Sequence, residues 1–100
     1  MLITEEHVNK FKLKNRIYHS REDEVIKDAL ESSYLFIANK CGDFSIDSND
    51  EGAELVYNRA RYEYNEALEY FDNNFMSMVT NFALKNLNFE EDVTVYDSAD

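Results

Sequence analysis

The side chains that could do acid–base, nucleophilic or metal chemistry are few and scattered in this sequence. Its two histidines, His7 and His19, lie near the N-terminus among polar residues, and Cys41 is the single cysteine. Nucleophilic catalysis needs a nucleophile beside a base, and a zinc site needs several His or Cys ligands at characteristic spacings. The sequence contains neither pattern, so we expect no catalytic residues, no metal ligands, no cofactor and no enzymatic activity.

Two segments resemble cation sites without completing one. His19 precedes two acidic residues, but their spacing fits a helix start better than a ligand set. Residues 47–52 resemble the start of a calcium-binding loop. Side chains with oxygen atoms occupy its first, third and fifth positions, and Gly52 occupies the sixth. The twelfth position is Asn58, where a bidentate glutamate is required. We therefore interpret both segments as helix caps.

The composition indicates an all-α protein. The 100 residues include two glycines and no proline, and 44% of them are hydrophobic. A phosphate-binding loop needs more glycines, and β-sandwiches and barrels need turn residues at regular intervals. No apolar run is long enough for a membrane span. The sequence predicts one bundle of three to four helices over residues 1–89, followed by an acidic tail over residues 90–100 that is disordered when free.

The net charge of −11 is unevenly distributed. Residues 1–20 carry four basic and two acidic side chains, a net charge of +2, whereas the remainder carries −13. A surface this acidic repels phosphate, which argues against nucleic-acid binding as the main task. The four basic residues form a predicted partner-contacting basic link: Lys10, Lys12, Lys14 and Arg16. Its partner is either nucleic acid or an acidic protein surface, such as that of the next subunit.

Hydrophobic periodicity divides the chain into four helical pieces. We predict a helix over about 5–13 followed by an extended link, and a second helix from residues 20–23 to Gly42. A third follows over about 50–72 and a last one over 75–89. Cys41 ends the apolar stripe of the second helix and is expected to be buried. The third helix has a predicted core face: Ala53, Val56, Tyr57, Ala60, Tyr64, Ala67, Leu68 and Phe71.

The third predicted helix also carries a second row of side chains. Leu55, Arg59, Tyr62, Glu66 and Tyr70 are spaced by four, three, four and four residues. On one continuous helix, this spacing aligns them away from the core face. Tyrosine and arginine are enriched at protein interfaces. We predict that this row, together with the solvent-facing Leu35 of the second helix, contacts another subunit or a partner. The alternative is a solvated helix surface.

The segment over residues 54–75 resembles the small head–tail connector, or adaptor, proteins of long-tailed bacteriophages. The family's third helix has an Asn-Arg-x-Arg-Tyr-x-Tyr-Asn-x-x-Leu-x-Tyr-Phe pattern. The matching residues are Asn58, Arg59, Arg61, Tyr62, Tyr64, Asn65, Leu68, Tyr70 and Phe71. The order of the helices is also similar over residues 3–89, whereas the basic link and the acidic tail have no counterpart in the family pattern.

The resemblance implies an α-helical subunit that forms a homo-oligomeric ring of about a dozen copies. The ring would sit beneath the portal protein, extend the DNA channel and receive the next head-completion or tail-terminator protein. DNA would pass through without specific binding. A dozen copies at −11 each would carry a net charge of roughly −130, which would keep DNA from adhering. The protein would assemble in the host cytoplasm and remain in the virion at the head–tail interface, without contact to a membrane.

A second function remains open at this point. An acidic phage-encoded binding protein could mimic DNA or inhibit a host protein through its carboxylates. A mimic needs a dense acidic face, whereas the third helix alternates Arg59 and Arg61 with its acids. The connector is therefore the leading hypothesis.

Overall fold

The structure, a computed structural model, describes residues 3–87. This part of the chain contains four helices: α1 (Glu5–Asn15), α2 (Asp23–Cys41), α3 (Asp50–Tyr64) and α4 (Glu69–Asn86). Helix α2 packs against each of the others, and α3 also packs against α4. The prediction of a small all-α bundle is confirmed. The predicted acidic tail and the last residues of the fourth predicted helix lie outside the described residues.

Helix α2 is central because its buried side chains form one broad face, against which α1, α3 and α4 all pack. Ile26, Leu30 and Ile37 have no exposed surface, and each contributes about 1.5–3 kcal/mol through burial. Cys41 is fully buried as expected, and its Sγ lies 3.5 Å from the carbonyl oxygen of Val79 in α4. Burial raises the pKa of the Cys41 thiol, so this side chain acts as a small apolar residue.

Helix α1 extends further than the sequence predicted. It runs through Asn15, so Lys14 lies on the helix with Lys10 and Lys12 rather than on an extended segment. Lys12 is held there by an ion pair of 2.8 Å with Asp23 at the start of α2. The helix ends at Arg16, which adopts a left-handed backbone conformation with φ 58°. The alternation of apolar and basic residues had indicated an earlier end.

The predicted boundary between the third and fourth helices is wrong. Helix α3 stops at Tyr64 and α4 begins at Glu69, so no single helix spans residues 50–72. The chain turns at Glu66, whose φ is 58°. The amide of Glu66 donates to the carbonyl of Glu63 at 3.0 Å, and the amide of Ala67 donates to that of Tyr62 at 2.8 Å. These two bonds form a Schellman motif, which satisfies the last carbonyls of α3.

The signal for this turn is weak because glutamate occupies the position that glycine usually takes. A left-handed conformation costs an L-residue about 1–2 kcal/mol, and glycine avoids that cost. The helical spacing of apolar residues also continues through the turn, since Phe71 follows Leu68 and Tyr64 at helical intervals. Residues 65–68 therefore resembled helix.

Gly52, the residue that resembled the glycine of a calcium loop, has a packing role. Asn49 caps α3 through its side chain, which accepts a hydrogen bond of 2.9 Å from the Gly52 amide. A Cβ at Gly52 would lie 2.6 Å from the Phe44 ring and 2.9 Å from Phe82 of α4. The glycine therefore permits the loop and α4 to approach the first turn of α3 closely.

Replacing Glu66 with glycine is expected to stabilise the fold. Glu66→Gly removes the strain of the left-handed conformation, and part of that gain is offset by the greater freedom of glycine in the unfolded chain. We expect the free energy of unfolding to rise by about 0.5–1 kcal/mol, measured by urea denaturation. Glu69→Gly in the first turn of α4 is the control and should lower it by up to about 1 kcal/mol. A loss of stability in Glu66→Gly would contradict the left-handed backbone conformation of Glu66.

Candidate interaction surfaces

The outward row predicted on the third helix does not exist as a continuous surface. Leu55 has no exposed surface and lies in the core, so its assignment to an interface is wrong. Arg59 and Tyr62 are half-buried within their own chain. Glu66 lies in the turn, and Tyr70 belongs to α4. The row fails because it required one straight helix over residues 50–72, and the turn at Glu66 redirects the chain.

Tyr62 instead joins an aromatic cluster that holds α3 against α4. Its ring contacts those of Phe71 and Phe75 edge-on, with centroid distances of 6.0 and 5.7 Å. The two phenylalanine rings stack on each other at 5.0 Å. The Tyr62 hydroxyl accepts a hydrogen bond of 3.0 Å from the Asn74 side chain. Tyr62 is therefore a packing residue of the monomer.

Arg59 links α3 to α2. Its guanidinium lies 4.2 Å from the centroid of the Phe36 ring and donates to the buried Ser33 hydroxyl at 3.2 Å. It also forms an ion pair of 3.4 Å with Glu63. Burial lowers the pKa of Arg59, and the carboxylates of Glu63 and Asp72 partly offset this effect. These contacts occupy the guanidinium inside the fold, so the predicted interface role of Arg59 has no support in its surroundings.

Three residues of the predicted interface do face solvent. Leu35 on α2 is 59% exposed, Tyr70 at the start of α4 is 55% exposed, and Glu66 in the turn is also exposed. They lie on three different elements and form no single row. Their contact with another subunit stays a prediction.

The structure places a different outward surface on α4, which the sequence analysis did not identify. Residues 73–84 form an uninterrupted run of twelve uncharged residues in a chain of which 31% is charged. Phe75, Val79 and Phe82 of this run point into the bundle. Six of the exposed side chains of α4 and its C-terminal cap form what we call the α4 outer face: Asn73, Met76, Ser77, Thr80, Leu84 and Leu87. Their spacing of three or four residues keeps them on one side of the helix.

The second surface is a groove of about 540 Å³ between α1 and α3. Lys10 and Lys14 line one wall, and Arg61 lies on the other. Near the start of α3, Asp50 and Glu54 form its acidic end. We call this feature the α1–α3 groove. It gathers two of the four predicted basic-link residues, whereas Lys12 pairs with Asp23 and Arg16 lies exposed at the end of α1.

Tyr57 supports the cations of the α1–α3 groove. The ammonium groups of Lys10 and Lys14 lie 5.8 and 5.6 Å from its ring centroid, which is a cation–π arrangement. Burial raises the pKa of Tyr57 to about 12, and the Asp47 carboxylate adds to the effect. The phenol is therefore neutral at physiological pH, and Tyr57 contributes the face of its ring to the groove.

His7 is the one buried histidine, and hydrogen bonds occupy both of its ring nitrogens. The Thr4 amide donates to Nδ1 at 2.9 Å, so Nε2 carries the proton and donates to Asp47 at 2.8 Å. The ring therefore has no free lone pair with which to act as a base, and it ties α1 to the loop before α3. Within residues 3–87, no group of three or more His, Cys, Asp or Glu side chains lies close enough to share a metal ion.

Comparison of the chain with protein-family models, with curated proteins and with solved structures found no match. Among the described helices, none combines the length and the hydropathy that a membrane crossing requires.

The two tyrosines of the predicted interface, Tyr62 and Tyr70, should respond differently to truncation. Tyr62→Ala removes ring contacts with Phe71 and Phe75, and we expect the free energy of unfolding to fall by about 1–3 kcal/mol. Tyr70→Ala is the matched control and should change it by no more than about 0.5 kcal/mol, because the side chain is exposed. Equal effects in thermal or urea denaturation would contradict the different placement of these residues.

Alkaline pH should destabilise the fold partly through Tyr57. Its pKa in the folded chain is about 12, above the usual value, so the folded state retains a proton that the unfolded state releases. The resulting stabilisation is complete below about pH 10 and is lost as the pH rises toward about 12. Tyr57→Phe should therefore lose less stability over this interval than the wild type, measured by urea denaturation at several pH values. If the free energies of unfolding of the wild type and of Tyr57→Phe fell in parallel with rising pH, the result would contradict the burial of the phenol.

Proposed function

We propose that this chain is a structural head–tail connector subunit of a tailed bacteriophage, which assembles as a homo-oligomeric ring beneath the portal. The α4 outer face is the observation that carries the proposal. Charged side chains are depleted at the centre of protein interfaces, because each buried charge loses its hydration. A long uncharged helix face in a chain with a net charge of −11 supports a role in contact with another protein.

Acidic subunits can associate only where their carboxylates stay apart. Copies that each carry −11 repel one another, and the repulsion is weakest where an uncharged surface forms the contact. On the α4 outer face, small side chains at Ser77 and Thr80 alternate with the apolar Met76 and Leu84. Small residues let another backbone approach closely, and the apolar residues beside them supply buried area. This combination suits helix packing between subunits.

A ring requires two different surfaces on each subunit. A contact between unlike surfaces repeats around an axis and closes if the rotation permits, whereas a contact between like surfaces stops at a dimer. The α1–α3 groove and the α4 outer face are unlike in charge and lie on different helices. They are candidates for the surfaces that face opposite neighbours in such a ring. The resemblance of residues 54–75 to connector proteins points to the same architecture.

In this role the protein supplies surfaces and performs no chemistry. One end of the ring would bind the portal and the other the next tail-completion protein, while DNA passes through the centre. The acidic surface supports passage without adhesion, since carboxylates repel phosphates. The cations of the α1–α3 groove and the uncharged α4 outer face fit a DNA mimic less well, because a mimic needs continuous acidic surfaces.

Placing charge on the α4 outer face should prevent ring assembly. Ser77→Lys with Thr80→Lys introduces two cations that would be buried without partners in a subunit contact. Both positions are exposed in the monomer, so its stability should change by no more than about 0.5 kcal/mol per substitution. We expect the variant to remain unassembled in negative-stain electron micrographs after co-production with the portal protein, whereas the wild type forms portal-bound rings.

Asn9→Lys with Ser20→Lys adds the same charge at two other exposed positions and serves as the control. It should assemble as the wild type does. Normal rings from the Ser77→Lys, Thr80→Lys variant would remove the α4 outer face from the interface. A wild-type chain that never associates with the portal would refute the connector function itself.

A further inference from the structure

We propose that the α1–α3 groove binds the acidic C-terminal segment, residues 88–100, of a second copy of this chain. The proposal rests on the assembly of copies proposed above, and it names the partner of one surface. It does not depend on whether the copies assemble within a phage particle.

The groove offers cations whose positions are fixed. Lys10 and Lys14 both lie over the Tyr57 ring, and Arg61 stands on the opposite wall, 3.3 Å from the Asn58 side-chain oxygen. Neither lysine has a carboxylate partner among the ion pairs of the described residues. Such an arrangement suits a ligand with several carboxylates along an extended backbone.

The C-terminal segment has the complementary chemistry. It contains five carboxylate side chains and no basic residue. Three of the five are consecutive, at Glu90, Glu91 and Asp92, and begin four residues after the last residue of α4, Asn86. Thirteen extended residues span up to about 43 Å, which is enough to reach from one subunit into the next.

The position of the C-terminal end of α4 favours binding of the segment to the groove of a second copy over binding to the groove of its own chain. Lys85 pairs with Glu51 in the first turn of α3 at 3.3 Å, and Asn86 donates to the Cys41 carbonyl at 2.8 Å. The last turn of α4 thus lies beside the first turn of α3, on which Asp50 forms part of the acidic end of the groove. Arg61 lies about 16 Å further along α3. In its own chain, the segment would first meet carboxylates, whereas a segment from another copy can enter at the basic end.

Two complementary variants of the full-length chain test the contact. The groove variant carries Lys10→Glu and Lys14→Glu, and the tail variant carries Glu90→Gln, Glu91→Gln and Asp92→Asn. Each is expected to raise the apparent dissociation constant for self-association at least tenfold, measured by sedimentation velocity at low salt. A mixture of the two should form dimers, because the groove variant still offers an intact tail and the tail variant an intact groove.

A control with the same change in net charge as the groove variant carries Arg21→Glu and Lys27→Glu. It should associate as the wild type does. Unchanged association of the groove variant or the tail variant would overturn this proposal and leave ring assembly through α4 intact. Failure of the mixture to form dimers would also overturn it, because binding within one chain gives that result. A wild type that stays monomeric at every concentration and also fails to bind the portal would refute both proposals.

Discussion

The left-handed turn at Glu66 determines how the rest of the molecule is arranged. It ends α3 and reverses the chain, so that Phe71 and Phe75 of α4 pack on Tyr62. Without this turn, residues 50–72 would continue as one helix, and the side of α3 that carries Leu55 would face solvent. With it, α4 packs on Tyr62, which lies two turns beyond Leu55 on the same side of α3, and Leu55 is fully buried in the core. The outer side of α4 is consequently one of the surfaces available to partners.

Charge explains why that outer side matters. The chain keeps its carboxylates in water, and six of its ten basic side chains are either paired within the fold or line the α1–α3 groove. The longest uncharged run of the sequence is the one that forms the outward helix. The proposed contacts between copies therefore use an uncharged helix face and a basic groove, because association of acidic copies must avoid opposing carboxylates.

The fold class and most of the core were predictable from the sequence, because apolar spacing reports burial directly. Ala53, Val56, Tyr57 and Ala60 of the predicted core face are buried on α3, and Cys41 is buried on α2, as that spacing indicated. The turn at Glu66 was not predictable, since a glutamate gives no local sign of a left-handed conformation. The same holds for the end of α1, where an arginine takes that position. Interface residues inferred from spacing across the turn were therefore misplaced, as Leu55 demonstrates.

The positions of the basic side chains in the fold were also not predictable from the sequence. Sequence composition identified the excess of positive charge at the N-terminus, but it could not separate Lys12, which pairs with Asp23, from Lys10 and Lys14, which line the groove. That separation depends on which side of α1 meets α2 and which meets α3. The α4 outer face was missed for a related reason, since its side chains are unremarkable singly and form a surface only on the folded helix.

Cryo-electron microscopy of the wild-type chain assembled with the portal protein tests the central claim most directly. The account predicts a ring of copies beneath the portal in which the α4 outer face of each subunit, including Ser77 and Thr80, is covered by its neighbour. A ring in which that face is bare to solvent in every copy, or portal particles without density for this chain, would contradict it.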